Sequence, residues 1–266
     1  MSKYEDEVAL IQKSFEEDKT TETFNAIIMG DIGSGKTHLL RTARRPIFID
    51  SFDPGGTKTL RDDPGYMKAG GILVDSRFER EDPKKPSVMK LWDKEFNRRR
   101  QEGFFNNIGT YVIDSATTWA DAVMNFVLQS NNRAGGTPQQ MDWMIQMNII
   151  RDAMKVMCSL PCDCILTAHI DFDKDEATGR MMGGLMMTGK LKKKIPLLFD
   201  EIYLATAKDS AKGTVYSLQT RPSTMFPGIR TRLGTNNRFE QYEVPDIKAL
   251  LKKADRNCAD QQEVAE

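Results

Sequence analysis

Short apolar runs alternate with longer amphipathic segments along most of the chain. Five runs are bounded by turn-forming residues and predict strands: FNAIIM (24–29), PIFIDS (46–51), GILVDS (71–76), TYVIDS (110–115) and CILTAH (164–169). Apolar residues at helical spacing predict helices between them, most clearly at 116–130 and 139–159. Two further strands, 201–208 and 213–221, flank a short turn. This alternation favours an α/β fold with a mostly parallel central sheet, flanking helices and a C-terminal antiparallel hairpin.

Both ends of the chain and one internal segment depart from this alternation. Residues 4–17 have a short amphipathic helix pattern, and we expect the segment 1–23 to cover the core or to contact a neighbouring subunit. The stretch 170–188 is polar at first and then rich in Gly and Met, which predicts a mobile loop. We place the main domain at 24–240, followed by a C-terminal helix and a flexible tail in 241–266.

The composition is balanced in charge. The 266 residues include 38 Lys plus Arg and 38 Asp plus Glu, so no net field draws a polyanion to the whole molecule. Apolar residues make up 39%, which suffices for a substantial core. No apolar run approaches the roughly 20 residues that span a bilayer, and the start of the chain lacks the pattern of a signal peptide. We therefore expect a cytoplasmic protein without membrane contact, whose nucleic-acid contacts are local patches.

One octet after the first strand carries the clearest chemistry. It consists of Gly30, Asp31, Ile32, Gly33, Ser34, Gly35, Lys36 and Thr37, and fits the phosphate-binding pattern GxxxxGK[ST]. Its glycines let backbone N–H groups turn inward around phosphates, while Lys36 offers its charge to the β and γ phosphates. Thr37 is expected to place its hydroxyl on Mg²⁺, and His38 completes the predicted nucleotide contacts. The octet therefore predicts ATP and Mg²⁺ as cofactors, with THLLRTA (37–43) continuing as a helix.

Polar residues at strand ends supply candidates for the remaining chemistry. Asp114 ends an apolar strand and is the leading metal candidate beside Thr37, because such an acid holds Mg²⁺ through its water shell. Asp50, Asp53 and Asp75 also end strand-like runs, and the residues alone do not choose which of them orients the attacking water. His169 ends the fifth strand, where its side chain can touch the γ-phosphate.

Four segments together resemble the RecA-like recombinase ATPases, and among them the phage single-strand annealing or recombination ATPases and related phage nucleotide-binding proteins. They are GDIGSGKT, IFIDS, YVIDSATTW, and LTAH followed by the loop that ends in TGKLKKKIPLLFDEIY. The resemblance runs from about residue 24 to 233. It implies a RecA-like P-loop fold, DNA-stimulated ATP hydrolysis, and assembly into a ring or filament on single-stranded DNA. A single-strand-binding protein is a further candidate partner, and a phage-encoded protein would work in the host cytoplasm.

The resemblance also assigns roles to individual residues. His169 takes the γ-phosphate sensor role, and the loop 170–188 with the cations after it becomes the DNA candidate. The DNA candidates are Arg180, Lys190, Lys192, Lys193 and Lys194. Three arginines near the final hairpin are candidates for a finger that reaches the nucleotide of an adjacent subunit: Arg221, Arg230 and Arg232.

The chain departs from the family pattern at one position. Where relatives carry a catalytic glutamate just after the second strand, this sequence has Phe52. Asp53 is the expected substitute base, and its shorter side chain predicts slow turnover. Other functions stay open: an ATP-dependent loader or switch that acts on protein partners in phage replication or packaging, a P-loop kinase, and a clamp that scarcely hydrolyses ATP.

Overall fold

The computed structural model describes residues 3–18, 22–176, 179–211 and 213–261. Its strands are β1 (Asn25–Gly30), β2 (Ile47–Ser51), β3 (Ile72–Asp75), β4 (Thr110–Asp114), β5 (Asp163–Ala168), β6 (Ile170–Lys174), β7 (Met181–Leu185), β8 (Glu201–Ser210), β9 (Gly213–Gln219) and β10 (Tyr242–Glu243). Its helices are α1 (Lys3–Glu17), α2 (Lys36–Leu39), α3 (Val88–Gln101), α4 (Ala116–Ser130), α5 (Gln140–Cys158), α6 (Leu191–Lys194) and α7 (Ile247–Lys253). Short 3-10 turns connect several of these elements.

Eight strands form the central sheet in the order β10-β9-β8-β1-β5-β4-β2-β3. The six strands from β8 to β3 run parallel, whereas β9 and β10 are antiparallel and close one edge. Parallel strands are buried on both faces, and every residue of β1, β2, β4 and β5 is buried. The predicted α/β class, with a mostly parallel sheet and a C-terminal antiparallel hairpin, is confirmed.

The two faces of the sheet support separate apolar cores. Along β1, Ile27 and Met29 belong to the core under α3, α4 and α5, while Ala26 and Ile28 belong to the core under α2 and α7. This division follows from the two-residue period of a strand. Because the carboxyl ends of β1, β2, β4 and β5 lie at one edge, the residues that follow them share one region of the surface.

One local prediction held only in part, and another was wrong. The helix predicted over 37–43 begins at Lys36, is α-helical only to Leu39, and continues as a 3-10 turn at Leu40–Thr42. The stretch 170–188 is not an irregular loop, because β6 and β7 pair within it as an antiparallel hairpin. The alternation in IDFDK is typical of a strand, and Gly183 lets the hairpin lie directly against the Phe226 ring.

Helix α1 forms at the predicted place, and none of its residues is buried. The expectation that it covers the core of its own chain is therefore wrong, whereas a contact with a neighbouring subunit stays a prediction. Within the described residues, no helix combines the length and the apolar character that a bilayer crossing requires.

Candidate nucleotide site

The octet forms a tight loop between β1 and α2. Gly33 and Gly35 have φ angles of 76° and 87°, which favour glycine because a side chain would be strained there. Gly30 is required by close approach instead, since a Cβ atom at this position would lie 2.6 Å from the Ala205 carbonyl oxygen. Asp31, Ile32 and Gly33 are exposed at the tip of the loop. The loop therefore has the glycine conformations that let backbone N–H groups turn toward a phosphate.

Lys36 lies inside this loop. Its ammonium donates hydrogen bonds of 2.8 Å to the carbonyl oxygens of Gly30 and Asp31, and the residue is 7% exposed. Burial lowers the pKa of Lys36, and the carboxylates of Asp114 and Asp53 oppose that effect. The positive charge is thus held at the centre of the predicted phosphate cradle. His38 follows in α2 with an exposed side chain, and its nucleotide contact stays a prediction.

Thr37 and Asp114 are brought together from two separate elements. The Thr37 hydroxyl donates to Oδ2 of Asp114 over 2.9 Å, and the hydroxyl of Thr167 on β5 donates to Oδ1. Asp114 is fully buried, and its pKa is raised by burial and next by the charge of Asp53. Two neighbouring carboxylates, compensated only in part by Lys36, are an environment that a further cation would stabilise.

The chemistry of these donors fits Mg²⁺. A hydroxyl and a carboxylate oxygen already in contact are hard oxygen ligands, and Mg²⁺ is commonly bound by one or two protein ligands together with substrate phosphates and water. No group of three or more His, Cys, Asp or Glu side chains able to hold a metal occurs in the part of the chain that the structure describes. Thr37 and Asp114 would therefore hold the ion jointly with the nucleotide. In that position the ion would neutralise charge that develops on the phosphates.

Asp53 is the acid that reaches this site from β2. Its carboxylate accepts hydrogen bonds from the hydroxyls of Ser115 (2.9 Å) and Thr118, and lies 3.6 Å from Nε2 of His169. The carboxylate is one quarter exposed, so a water molecule can approach it. Asp53 and His169, which are separate candidates in the sequence, thus lie side by side, and the catalytic role of each stays a prediction.

The other two strand-end acids lie elsewhere. Asp50 is fully buried among aromatic side chains and accepts hydrogen bonds from Trp92 Nε1 (3.0 Å) and the Tyr111 hydroxyl (2.6 Å). Burial raises its pKa to about 6, against the charge of Arg99. Asp75 is bound by the guanidinium groups of Arg77 and Arg99. Asp50 and Asp75 are structural acids and do not reach the nucleotide site.

Phe52 is a core residue, which explains the departure at the glutamate position. It is 1% exposed and stacks on Phe78 with ring centroids 5.4 Å apart. Its backbone N–H donates to the carbonyl oxygen of Asp114 over 2.6 Å. Position 52 is therefore turned into the apolar core, and only position 53 is available to face the site.

Thr117 is a site residue that sequence reasoning missed. Its hydroxyl accepts the backbone N–H of His169 (3.1 Å) and donates to the carbonyl oxygen of Met186 (3.3 Å). The Met186 N–H in turn donates to the His169 carbonyl oxygen over 2.9 Å. These three residues tie both ends of the β6–β7 hairpin to the first turn of α4, directly after Asp114. The run of hydroxyl residues in DSATT was the available signal.

The basic residues predicted to contact DNA lie in different environments. Lys192 is paired with Asp171 (2.7 Å) and Asp173 (3.0 Å) of the hairpin. Lys193 is exposed, and Lys190 and Lys194 line a groove beside α5. At the far end of the hairpin, the Arg180 carbonyl oxygen accepts from the Asp175 N–H. DNA contact by any of the five stays a prediction.

The three candidate finger arginines make contacts within their own chain. Arg221 donates to the Phe239 carbonyl oxygen, and Arg230 donates to those of Pro196 (2.6 Å) and Phe199 (2.7 Å). Arg232 pairs with Asp200. The backbone of Arg230 also pairs with Ile202 near the start of β8, at the edge opposite the octet. A role in a neighbouring subunit's site stays a prediction for all three.

The fold and the site define a P-loop nucleoside triphosphatase of the α/β class. The chain belongs to the AAA domain family AAA_24, whose model matches residues 23–232. It is thus a member of the nucleotide-binding P-loop ATPases. A comparison with curated proteins found no significant match.

Two solved structures share parts of the fold at low identity. A KaiC-like protein, PH0186, from Pyrococcus horikoshii OT3 is 11% identical, with a TM-score of 0.37 over 74% of this chain and 77% of that one. The flagellar accessory protein FlaH from Methanocaldococcus jannaschii is 10% identical, with a TM-score of 0.39 over 82% of this chain and 83% of that one. Both likenesses are remote, and the family assignment rests on the sequence match.

Proposed function

We propose that this protein binds ATP with Mg²⁺, hydrolyses it slowly, and uses the cycle to act on single-stranded DNA in annealing or recombination during phage DNA metabolism. The contact between Thr37 and Asp114 is the observation that carries the proposal, because it joins the P-loop to the acid of β4 in the arrangement a nucleotide-bound metal needs. Lys36 supplies the charge for the β and γ phosphates.

Asp53 acts as the base that orients or deprotonates the attacking water. It is the carboxylate that extends from β2 toward Asp114, and it is held by Ser115 and Thr118. An aspartate is one methylene shorter than the glutamate of relatives, so its reach toward the γ-phosphate is reduced. Slow hydrolysis follows from that reduced reach.

His169 links nucleotide occupancy to the DNA-facing hairpin. It lies 3.6 Å from Asp53 and immediately precedes β6, so a shift of its side chain acts on the start of the hairpin. Thr117 holds the other end of the hairpin in register with His169. The exposed cation Lys193 lies just beyond, outside the groove that Lys190 and Lys194 line, and suits a phosphate backbone.

DNA stimulation of ATP hydrolysis tests this proposal. Phosphate release is measured with and without oligothymidylate at 50 and 200 mM salt, and the account predicts stimulation that weakens with salt. A Lys193→Ala variant is expected to lose stimulation and to keep basal turnover. Hydrolysis that is indifferent to DNA would contradict the DNA role and would favour a loader or switch that acts on protein partners.

A nucleotide-dependent clamp is a second candidate, favoured by the burial of Phe52 where relatives have the catalytic glutamate. In that function ATP occupancy alone holds the DNA-bound state. Tight ATP binding with turnover indistinguishable from the Lys36→Ala variant would identify the clamp.

A further inference from the structure

Helix α1 presents an apolar stripe that none of the described residues of its own chain buries. Tyr4, Val8, Ile11 and Phe15 recur every three or four residues and fall on one side of the helix at 100° per residue. Ile11 is 60% and Phe15 67% exposed. A lone helix of 15 residues is marginal in water, so a partner that covers this stripe would stabilise it.

The charges of α1 are arranged around that stripe. At 100° per residue, Glu7 borders it on one side with Lys3 next to Glu7, and Glu5 and Glu16 border it on the other, whereas Lys13 falls on the far side of the helix. The helix carries five acidic and two basic side chains, which gives a net charge of −3 over Lys3–Glu17. A surface that receives this helix is therefore expected to be apolar at its centre and basic at its margins.

A groove between α5 and α6 has that character. Its volume is about 470 Å³, and its apolar lining includes Trp143, Met144 and Met147. Arg151, Lys190 and Lys194 supply positive charge, and no carboxylate is among the described residues that line it. Met144 is 50% exposed, although it lies in the second turn of a long core helix.

The two surfaces also match in length. The stripe extends from Tyr4 to Phe15 and the α5 side of the groove from Gln140 to Arg151, eleven residues in each case, or about 16 Å at 1.5 Å per residue. We propose that α1 of one copy docks in the α5–α6 groove of a second copy, with its acidic margins against Arg151, Lys190 and Lys194. The contact joins different surfaces of the two partners, so it can propagate into a ring or filament.

This inference does not depend on ATP turnover, and paired variants test it. Ile11→Asp places a charge in the apolar stripe, and Met144→Asp places a charge in the apolar lining of the groove. Each has a matched control on the same helix: Leu10 is 63% exposed but lies off the stripe, and Met141 is 62% exposed but does not line the groove. All four positions are exposed, so the substitutions are expected to leave the fold intact, which circular dichroism checks.

Molar mass is measured by light scattering and sedimentation on the full chain over a range of concentrations. Wild type, Leu10→Asp and Met141→Asp are expected to associate, whereas Ile11→Asp and Met144→Asp are each monomeric, with association weakened at least tenfold. An equimolar mixture of the two monomeric variants is expected to form dimers, because one copy retains its helix and the other its groove.

Three results would overturn the contact. They are a monomeric wild type at high concentration, association that survives both single substitutions, and a mixture that stays monomeric. A Met144→Asp variant that keeps the wild-type mass and loses oligothymidylate binding would assign the groove to nucleic acid instead. Loss of ATP hydrolysis in any variant has no bearing on these masses, so failure of the proposed ATPase function is separately visible.

Discussion

Replacing Asp53 with asparagine separates its chemical role from its place in the structure. The amide has the same shape as the carboxylate, so its oxygen can still accept the hydroxyls of Ser115 and Thr118. What is lost is the negative charge beside the site of the attacking water. General-base catalysis contributes roughly 10²- to 10⁴-fold, and the short side chain suggests the lower end of that range. We therefore expect a loss of about 100-fold in kcat, equivalent to about 2.7 kcal/mol of transition-state stabilisation.

The assay is steady-state phosphate release together with nucleotide titration. ATP affinity is expected to stay within about threefold of wild type, since Lys36 and the loop N–H groups are unchanged. Asp50→Asn is the matched control, because Asp50 lies on β2 three residues before Asp53 and has its carboxylate in the aromatic core. A wild-type kcat in Asp53→Asn would refute the assignment of the base. An equal loss in both variants would show that the effect is structural.

Three further outcomes follow from the site and its surroundings. Lys36→Ala removes the ammonium from the loop and is expected to weaken ATP binding about 100-fold by calorimetry; unchanged affinity would contradict the cradle. Asp114→Asn is expected to raise the Mg²⁺ concentration for half-maximal turnover at least about tenfold and to cut kcat about 100-fold, and wild-type Mg²⁺ dependence would remove Asp114 from the metal site. The pKa of Asp50 is raised from 3.8 to about 6, so the folded protein keeps this proton to higher pH than the unfolded chain. Its contribution to the free energy of unfolding should fall by about 2 kcal/mol between pH 4 and 6; denaturant titrations should show that Asp50→Asn lacks this decline, and identical pH profiles would refute the coupling.

The hydrophobic pattern along the chain was enough to predict the strands of the central sheet. Strands β1 to β5 begin and end within about two residues of their predicted bounds, because each is a buried apolar run bounded by turn formers. The octet could also be recognised from the sequence, because its glycines and Lys36 are required by the local conformation of the loop itself. Asp114 was found because it follows such a run directly.

Which of the strand-end acids faces the nucleotide site depends on the direction of its side chain. Asp50 shares its face of β2 with Phe48 and Phe52, so strand alternation already turns it toward the aromatic core. The exclusion of Asp50 was therefore readable from the sequence, once Phe52 was recognised as a core residue. Asp53 stands beyond the end of β2, where alternation no longer applies and only the fold fixes its direction.

Long-range contacts account for what the sequence did not predict. Thr117 and Met186 lie far apart along the chain and meet only because α4 and the hairpin converge on His169. The groove beside α5 likewise depends on how α6 lies against α5. Such juxtapositions leave no periodic signal in either segment.

The measurement that tests the central claim most directly is ATP hydrolysis by the purified wild-type chain, with Mg²⁺ present and then removed by chelation, beside the Lys36→Ala variant. The account predicts slow phosphate release that requires Mg²⁺ and is lost in the variant. ATP binding that is equally tight in wild type and Lys36→Ala, or turnover unaffected by chelation, would contradict a P-loop site built from Lys36, Thr37 and Asp114.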